Sequence, residues 1–148
     1  MDRSTIARWA AVPLRVVLGY GFLEHGLAKL GRGPEAFATI LHALGVPAPH
    51  LMARLTIAVE IVGGVAVLAG AFVTLASVPL AVLLVVATLT VHLRYGFSSI
   101  TLTAVTDAGP QFGPPGFEVN LLYLAGLAAL VLGGSGPFSV DRIVRRRA

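Results

Sequence analysis

The fold is decided by residues 55–91, which read LTIAVEIVGGVAVLAGAFVTLASVPLAVLLVVATLTV. This stretch is apolar almost throughout, and Glu60 is its one ionisable residue. A helix that crosses a membrane needs about 20 residues, each rising about 1.5 Å. The stretch is therefore long enough for two crossings, and we place one helix over 51–69, a turn over 70–77 and the next helix over 78–95.

Two further apolar stretches flank this central one. The first span covers residues 9–30 and the last covers residues 117–134. Ser77 is expected to cap the span over 78–95, and Pro79 then falls in its first turn, where proline is tolerated. The sequence thus predicts four membrane-crossing helices.

The connecting segments differ in character. Residues 35–44 predict a short amphipathic helix in the membrane interface after the first span, and residues 97–116 predict a long extramembrane loop rich in glycine and proline. Residues 139–148 form a basic tail, which anionic lipids would attract by about 1 kcal/mol per arginine. Together these features predict an all-α fold, an integral membrane four-helix bundle that makes one domain over residues 1–148.

Composition supports a location in a lipid bilayer. Of 148 residues, 56% are hydrophobic and 12% are charged, with a mean hydropathy of +0.86. Soluble domains average about 45–50% apolar and about 25% charged residues. The absence of cysteine excludes disulfides, thiolate metal sites, iron–sulfur clusters and covalent c-type haem. Because the basic residues border apolar spans, we interpret the net charge of +4 as a topology and lipid signal and predict no nucleic-acid partner.

The basic residues also predict the orientation. Four spans put both termini on one side of the membrane, and that side carries more Lys and Arg than the other. The terminal side has Arg3, Arg8, Arg15, Arg142, Arg145, Arg146 and Arg147, and the other side has Lys29, Arg32, Arg54 and Arg94. The positive-inside rule therefore predicts that both termini are cytoplasmic.

Polar side chains from all four spans are expected to meet in the outer half of the bundle. Ionisable groups inside a span are costly and usually face a bundle interior, so each one is a functional candidate. The candidates are Glu24, His25, Lys29, Glu60, His92, Glu118 and Asn120. Simpler structural interpretations also exist, such as a snorkelling Lys29, an interfacial His92, or a Glu118 that complements a helix dipole.

Glu60 is the strongest of these candidates because it lies near the middle of its helix. A carboxylate at that depth must be protonated, paired with a cation such as His25, Lys29 or Arg15, or bound to a ligand. Small residues at helical spacing around it, including Gly63 and Gly64, predict that Glu60 faces helix partners. No Glu-x-x-His spacing occurs among the candidates, so no metal site is predicted.

Several motifs resemble those of the DoxX family. They are GFLEHGLAKL at 21–30, VEIVGG at 59–64, TVH at 90–92, GFEVNLL at 116–122 and SVDR at 139–142. The resemblance implies a small four-helix bacterial inner-membrane protein similar to the membrane subunit of a thiosulfate:quinone oxidoreductase. It also implies functional roles for His25, Gly26, Lys29, Glu60, His92, Glu118 and Asn120.

The leading hypothesis is a membrane redox protein that binds a quinone or similar apolar ligand and takes electrons from a partner subunit. Its candidate catalytic residues are Glu60, His25, His92 and Glu118, and its candidate ligand-binding residues are Glu24, Lys29, Asn120 and Tyr123. No metal, flavin or covalent haem is predicted.

The main alternative is a non-catalytic scaffold, lipid-binding or assembly protein that docks a partner through the loop over 97–116. A transporter would show discontinuous spans in two symmetric halves, and the sequence has too little of that pattern. The residues leave open whether the chain is catalytic and whether it forms an oligomer.

Overall fold

The computed structural model describes residue 6 and residues 8–145, and within them the chain is mostly helical. The helices are α1 (Ala11–Arg32), α2 (Pro34–Ala43), α3 (Pro49–Ala69), α4 (Val73–Ala87), α5 (Glu118–Gly133) and α6 (Val140–Arg145). A π-helix (Thr88–His92) and a 3-10 turn (Leu93–Tyr95) continue α4, and strands β1 (Leu102–Thr106) and β2 (Gly109–Phe112) follow. The predicted charges at Arg3, Arg146 and Arg147 lie outside the described residues.

The four long helices enclose the hydrophobic core. Helix α1 packs against α3 and α5, and α4 packs against the same two helices, while α2 lies on α3. The buried core side chains include Leu18, Phe22, Val67, Leu80, Leu127 and Leu130. Their burial stabilises each helix through its neighbours, since about 1.5–3 kcal/mol accompanies the full burial of one such side chain.

Glycines set the distance between α1 and α3. A Cβ atom added to Gly64 would lie 2.7 Å from the backbone nitrogen of Leu23 and 2.8 Å from the carbonyl oxygen of Gly19. Such distances are too short for any side chain, so the two backbones touch directly at this level. The small-residue face predicted around Glu60 is therefore a helix contact.

The turn between α3 and α4 is shorter than predicted. The prediction placed the turn over 70–77 and the next helix over 78–95, but α4 begins at Val73. Ser77 is not an N-cap, because it lies inside α4 and its hydroxyl donates to the carbonyl oxygen of Val73 at 2.7 Å. Pro79 also lies inside the helix rather than in its first turn.

A distant carboxylate explains this early helix start. Asp141 of α6 accepts hydrogen bonds from the backbone amides of Phe72, at 2.6 Å, and Val73, at 3.3 Å. These amides lie at the N-terminal end of α4 and have no partner within the helix, so a carboxylate here caps the helix and complements its dipole. The backbone amide of Asp141 in turn donates to the carbonyl oxygen of Gly70 at 3.0 Å.

Arg15 holds the same C-terminal segment from the opposite side. Its side chain is only 3% exposed, and Nη2 donates to the carbonyl oxygen of Pro137 at 2.9 Å. Gly70, at φ +64°, leaves the space that the Arg15 guanidinium occupies. Arg15 therefore does not pair with Glu60, and the beginning of the predicted basic tail is a docked segment of the fold.

The predicted loop over 97–116 contains a β-hairpin, which corrects the all-α prediction. Strands β1 and β2 are antiparallel, with Leu102 opposite Phe112 and Thr106 opposite Gly109. Large apolar side chains of this region are exposed, including Ile100 at 76% and Val105 at 75%.

Two of the described helices are long and apolar enough to cross a membrane. They are Pro49–Ala69 and Val73–Tyr95, the second of which includes the π-helix and the 3-10 turn. Helix α5 is also apolar but shorter. Helix α1 is long enough by length alone and carries four charged residues, Arg15, Glu24, Lys29 and Arg32.

Candidate functional site

A partly buried ion pair joins α1 to α3. The ammonium nitrogen of Lys29 lies 2.6 Å from Oε2 of Glu60 and also donates to Oε1. Glu60 is 8% exposed, whereas Lys29 keeps about a quarter of its side chain accessible. Of the three states that the sequence allowed for Glu60, the structure contains the pair with Lys29.

Local packing explains why these two residues meet. A Cβ added to Gly26 would lie 3.0 Å from Cβ of Glu60, so the glycine allows the Glu60 side chain to pass beside α1. Lys29 follows Gly26 by three residues and thus lies on nearly the same face of the helix. The ring of Phe37, on α2, covers the ammonium group at 5.2 Å from its centroid. A cation over an aromatic ring is attracted by its π electrons, so α2 helps to hold Lys29 in place.

A second group of the predicted residues attaches the hairpin region to α4 and α5. His92 Nδ1 donates to the carbonyl oxygen of Pro115 at 2.9 Å. Glu118 accepts a hydrogen bond from the backbone amide of Ser99 at 3.1 Å. These contacts close the loop over the end of the helices.

Asn120 belongs to this second group. Its side-chain amide donates to the hydroxyl of Thr88 at 2.9 Å, which links α5 to the π-helix that continues α4. The hydroxyl of Thr88 donates to the carbonyl oxygen of Leu84 at 2.8 Å. Segments of π-helix are rare and often occur at functional sites, and nothing in the local sequence indicated this one.

Tyr123 lies where α5 meets α1. Its ring packs edge-on against Phe22, with 5.2 Å between the ring centroids. Its hydroxyl occupies the space that Gly21 leaves beside α1. Tyr123 therefore packs against the helix that carries Lys29, but none of its hydrogen bonds within the described residues joins it to the ion pair.

The structure does not bring Glu24 and His25 to the ion pair. Both residues are exposed. Gly26 faces α3, and at about 100° per residue Glu24 lies roughly 160° around α1 from it. Among the described residues, hydrogen bonds join Lys29 to Glu60, and none joins either of them to His92, Glu118 or Asn120. The common layer expected from the depth of these residues stays a prediction.

The sequence analysis missed three residues that shape these sites: Phe37, Arg15 as a clamp, and Asp141 as a cap. Asp141 is part of the SVDR motif, but the motif alone does not indicate which helix it caps. Phe37 could have been identified from the apolar face of α2. Among the described residues, no group of three or more His, Asp or Glu side chains is placed to hold a metal ion.

An exposed cluster fixes α2 to the start of α3. His50 Nδ1 lies 2.6 Å from a carboxylate oxygen of Glu35, and Arg54 donates to the other oxygen at 3.3 Å. The hydrogen bond from His50 lowers the pKa of Glu35 below its usual value of 4.5, and Arg54 lowers it further. Because α2 carries Phe37, this cluster also orients the residue that covers Lys29.

The lowered pKa of Glu35 predicts a pH dependence for α2. A carboxyl group whose pKa is lower in the folded state than in the unfolded chain stabilises the folded state at pH values above its unfolded pKa. This stabilisation is lost as the pH falls through the folded pKa. We expect hydrogen exchange of α2 to speed up, relative to α1, as pH falls below about 4.5. Glu35→Gln should remove this step. An unchanged step in that variant would assign the transition to another group.

Comparisons with known proteins identify the class of protein. The family described as DoxX matches residues 10–93. An uncharacterized membrane protein of Mycobacterium tuberculosis is 30% identical over 146 residues, which cover 94% of this chain and 83% of that protein. No solved structure gives a significant match. The chain is a membrane protein, and it belongs to the DoxX family.

Proposed function

We propose that this protein is a redox-associated membrane protein that binds a quinone or similar apolar ligand beside the Lys29–Glu60 pair. The observation that carries the proposal is this ion pair itself, which is partly buried between α1 and α3 and covered by Phe37. Buried pairs are costly to desolvate and contribute little net stability compared with well-packed apolar residues. A functional role accounts for the presence of such a pair in an otherwise apolar helix.

The ion pair offers the hydrogen bonds that a quinone requires. The Lys29 ammonium has three N–H donors, and Glu60 accepts from it through both carboxylate oxygens. The third donor is available for a ligand carbonyl, and the accessible part of Lys29 beside Phe37 provides the approach. Reduction of a quinone to a quinol takes two electrons and two protons. The electrons come from a partner subunit, and Glu60 relays protons through Lys29.

His25 extends this site toward the membrane. It precedes Lys29 by four residues, so the two lie one turn apart on neighbouring positions of α1. Because His25 is exposed, it meets a ligand that arrives through the lipid, and its imidazole can donate a hydrogen bond to the second carbonyl. The group formed by His92, Glu118 and Asn120 holds the hairpin region, α4 and α5 together and does not contact the ligand.

The proposed topology has four crossings in a bacterial inner membrane, with both termini in the cytoplasm. Helices α1, α3, α4 and α5 alternate in direction along the chain. Helix α5 has 16 residues and spans about 24 Å, which a bilayer accommodates by local thinning. The Lys29 end of α1 then lies in the outer half of the membrane, and α2 lies in the interface.

Binding of ubiquinone or menaquinone to the purified protein tests the proposal. In mild detergent we expect either quinone to raise the Tm of the wild type. Lys29→Met removes the donor, and we expect it to weaken quinone binding by at least about tenfold, the loss of one charge-assisted hydrogen bond. Glu60→Gln should weaken binding less, because it leaves the N–H donors of Lys29 in place. Glu24→Gln is the matched control, because it removes a carboxylate on the opposite side of α1.

Two results would contradict this function. One is the absence of a quinone-dependent shift together with no quinone in small molecules extracted from the purified protein. The other is equal quinone affinity in Lys29→Met and Glu24→Gln. Either result would favour the scaffold alternative, which the exposed apolar hairpin supports with Val105 at 75% and Phe112 at 58% exposure.

A further inference from the structure

A cavity lies at the other end of the molecule from Lys29. Its volume is about 630 Å³, within the range of about 300–1,000 Å³ typical of ligand sites. It lies between the start of α4 at Val73, the end of α5 at Gly133, and Arg142 on α6, and Arg8 completes the wall. Arg8 precedes the first residue of α1, Ala11, which lies about 27 Å along the helix from Lys29. This cavity is therefore separate from the proposed quinone site.

The charges that line the cavity favour an anion. Arg8 and Arg142 both line it, and neither guanidinium is hydrogen-bonded or ion-paired to another of the described side chains. Asp141 is the one carboxylate among the described residues of the wall, and its two oxygens already accept hydrogen bonds from the backbone amides of Phe72 and Val73. The cavity therefore holds two positive charges against one negative charge that is engaged elsewhere. Guanidinium groups bind phosphate through two parallel hydrogen bonds, which a single ammonium cannot provide.

The apolar part of the wall favours an amphiphile over a free ion. Val131 and Leu132 line the cavity, and Leu132 is 87% exposed. An exposed leucine beside two arginines matches the boundary between headgroups and acyl chains in a bilayer. The arginines are also on the side where the positive-inside rule places basic residues, next to the anionic leaflet.

We propose that this cavity binds the phosphate headgroup of an anionic phospholipid, with Arg8 and Arg142 as its ligands and the end of α5 against an acyl chain. This site is independent of the proposed quinone function. It differs from a general attraction of the basic tail, because it requires two particular arginines that the fold brings together from the two ends of the chain.

Binding of phosphatidylglycerol tests the proposal. We would measure retention of the lipid by native mass spectrometry and the shift in Tm in mixed micelles, with phosphatidylcholine and inorganic phosphate as separate probes. The wild type should retain phosphatidylglycerol in preference to phosphatidylcholine. Arg8→Gln and Arg142→Gln should each weaken retention by roughly tenfold, the loss of one charge-assisted hydrogen-bonded contact. The double variant Arg146→Gln with Arg147→Gln is the control, because it removes two positive charges of the same basic tail and keeps both Arg8 and Arg142.

Each other outcome counts against the site. If the tail control lost as much phosphatidylglycerol retention as the cavity variants, the lipid would be held by the general positive charge of the tail. That result would overturn the proposal. Equal retention of phosphatidylcholine would exclude selection for an anionic lipid. A Tm shift with inorganic phosphate as large as with the lipid would assign the cavity to a free phosphate instead. If the cavity variants fail to fold, the wild type still decides: a photoreactive phosphatidylglycerol should cross-link within residues 130–142, and cross-linking elsewhere would refute the site.

Discussion

Replacing Arg15 by Met should lower the free energy of unfolding by about 1–3 kcal/mol, the cost of leaving a buried carbonyl oxygen without its hydrogen-bond donor. Arg15 is 3% exposed and donates to the carbonyl oxygen of Pro137. Methionine has a similar length but donates no hydrogen bond, so the segment that caps α4 would lose its main attachment to α1. In mild detergent we expect the Tm to fall by roughly 5 °C.

Matched variants separate this clamp from a general effect of charge. Arg15→Lys keeps the positive charge that influences topology but not the forked geometry, so it should recover only part of the stability. Arg94→Met removes an exposed arginine that stacks over Tyr95 at 4.8 Å, and it should leave the Tm nearly unchanged. If Arg15→Met and Arg94→Met gave the same Tm, the clamp would have no energetic role.

The start of α4 shows where reasoning from sequence reaches its limit. Ser77 followed by Pro79 is a typical local pattern for a helix N-terminus. The structure uses Asp141 instead, which follows Phe72 by 69 residues. A cap that comes from so far along the chain leaves no local signal, so hydropathy predicts that α4 exists but not where it begins. The helix termini at Ala69 and Gly133, by contrast, lie close to prediction because glycines mark them locally.

The candidate site was predictable only in part, for a related reason. The small residues around Glu60 correctly predicted that it faces other helices, because helical spacing fixes which residues share a face. Spacing alone could not choose among His25, Lys29 and Arg15 as its partner. That choice depends on the rotation of α1, which the close contact at Gly19 and Gly26 sets.

Gly64→Ala should impair the fold and the proposed site together. The new Cβ would lie 2.7 Å from the backbone nitrogen of Leu23, and because backbone atoms cannot rotate away, α1 and α3 must separate. Overpacking of this kind costs about 1–3 kcal/mol. Glu60 lies one turn before Gly64 on α3, so the same separation lengthens its contact with Lys29. We therefore expect both a lower Tm and a weaker Lys29–Glu60 interaction.

A double-mutant cycle distinguishes these two effects. The interaction energy between Lys29→Met and Glu60→Gln, measured from unfolding, should be smaller in the Gly64→Ala background than in the wild type. Gly31→Ala is the control, since a Cβ at Gly31 would meet no atom within 4 Å and alanine favours the helix. A loss of Tm with an unchanged interaction energy would mean that the ion pair tolerates helix separation. In that case the geometry of the site would depend on α2 and Phe37 more than on the contact between α1 and α3. Protonation of Glu35, which loosens α2, would then weaken ligand binding more than the Gly64→Ala substitution does.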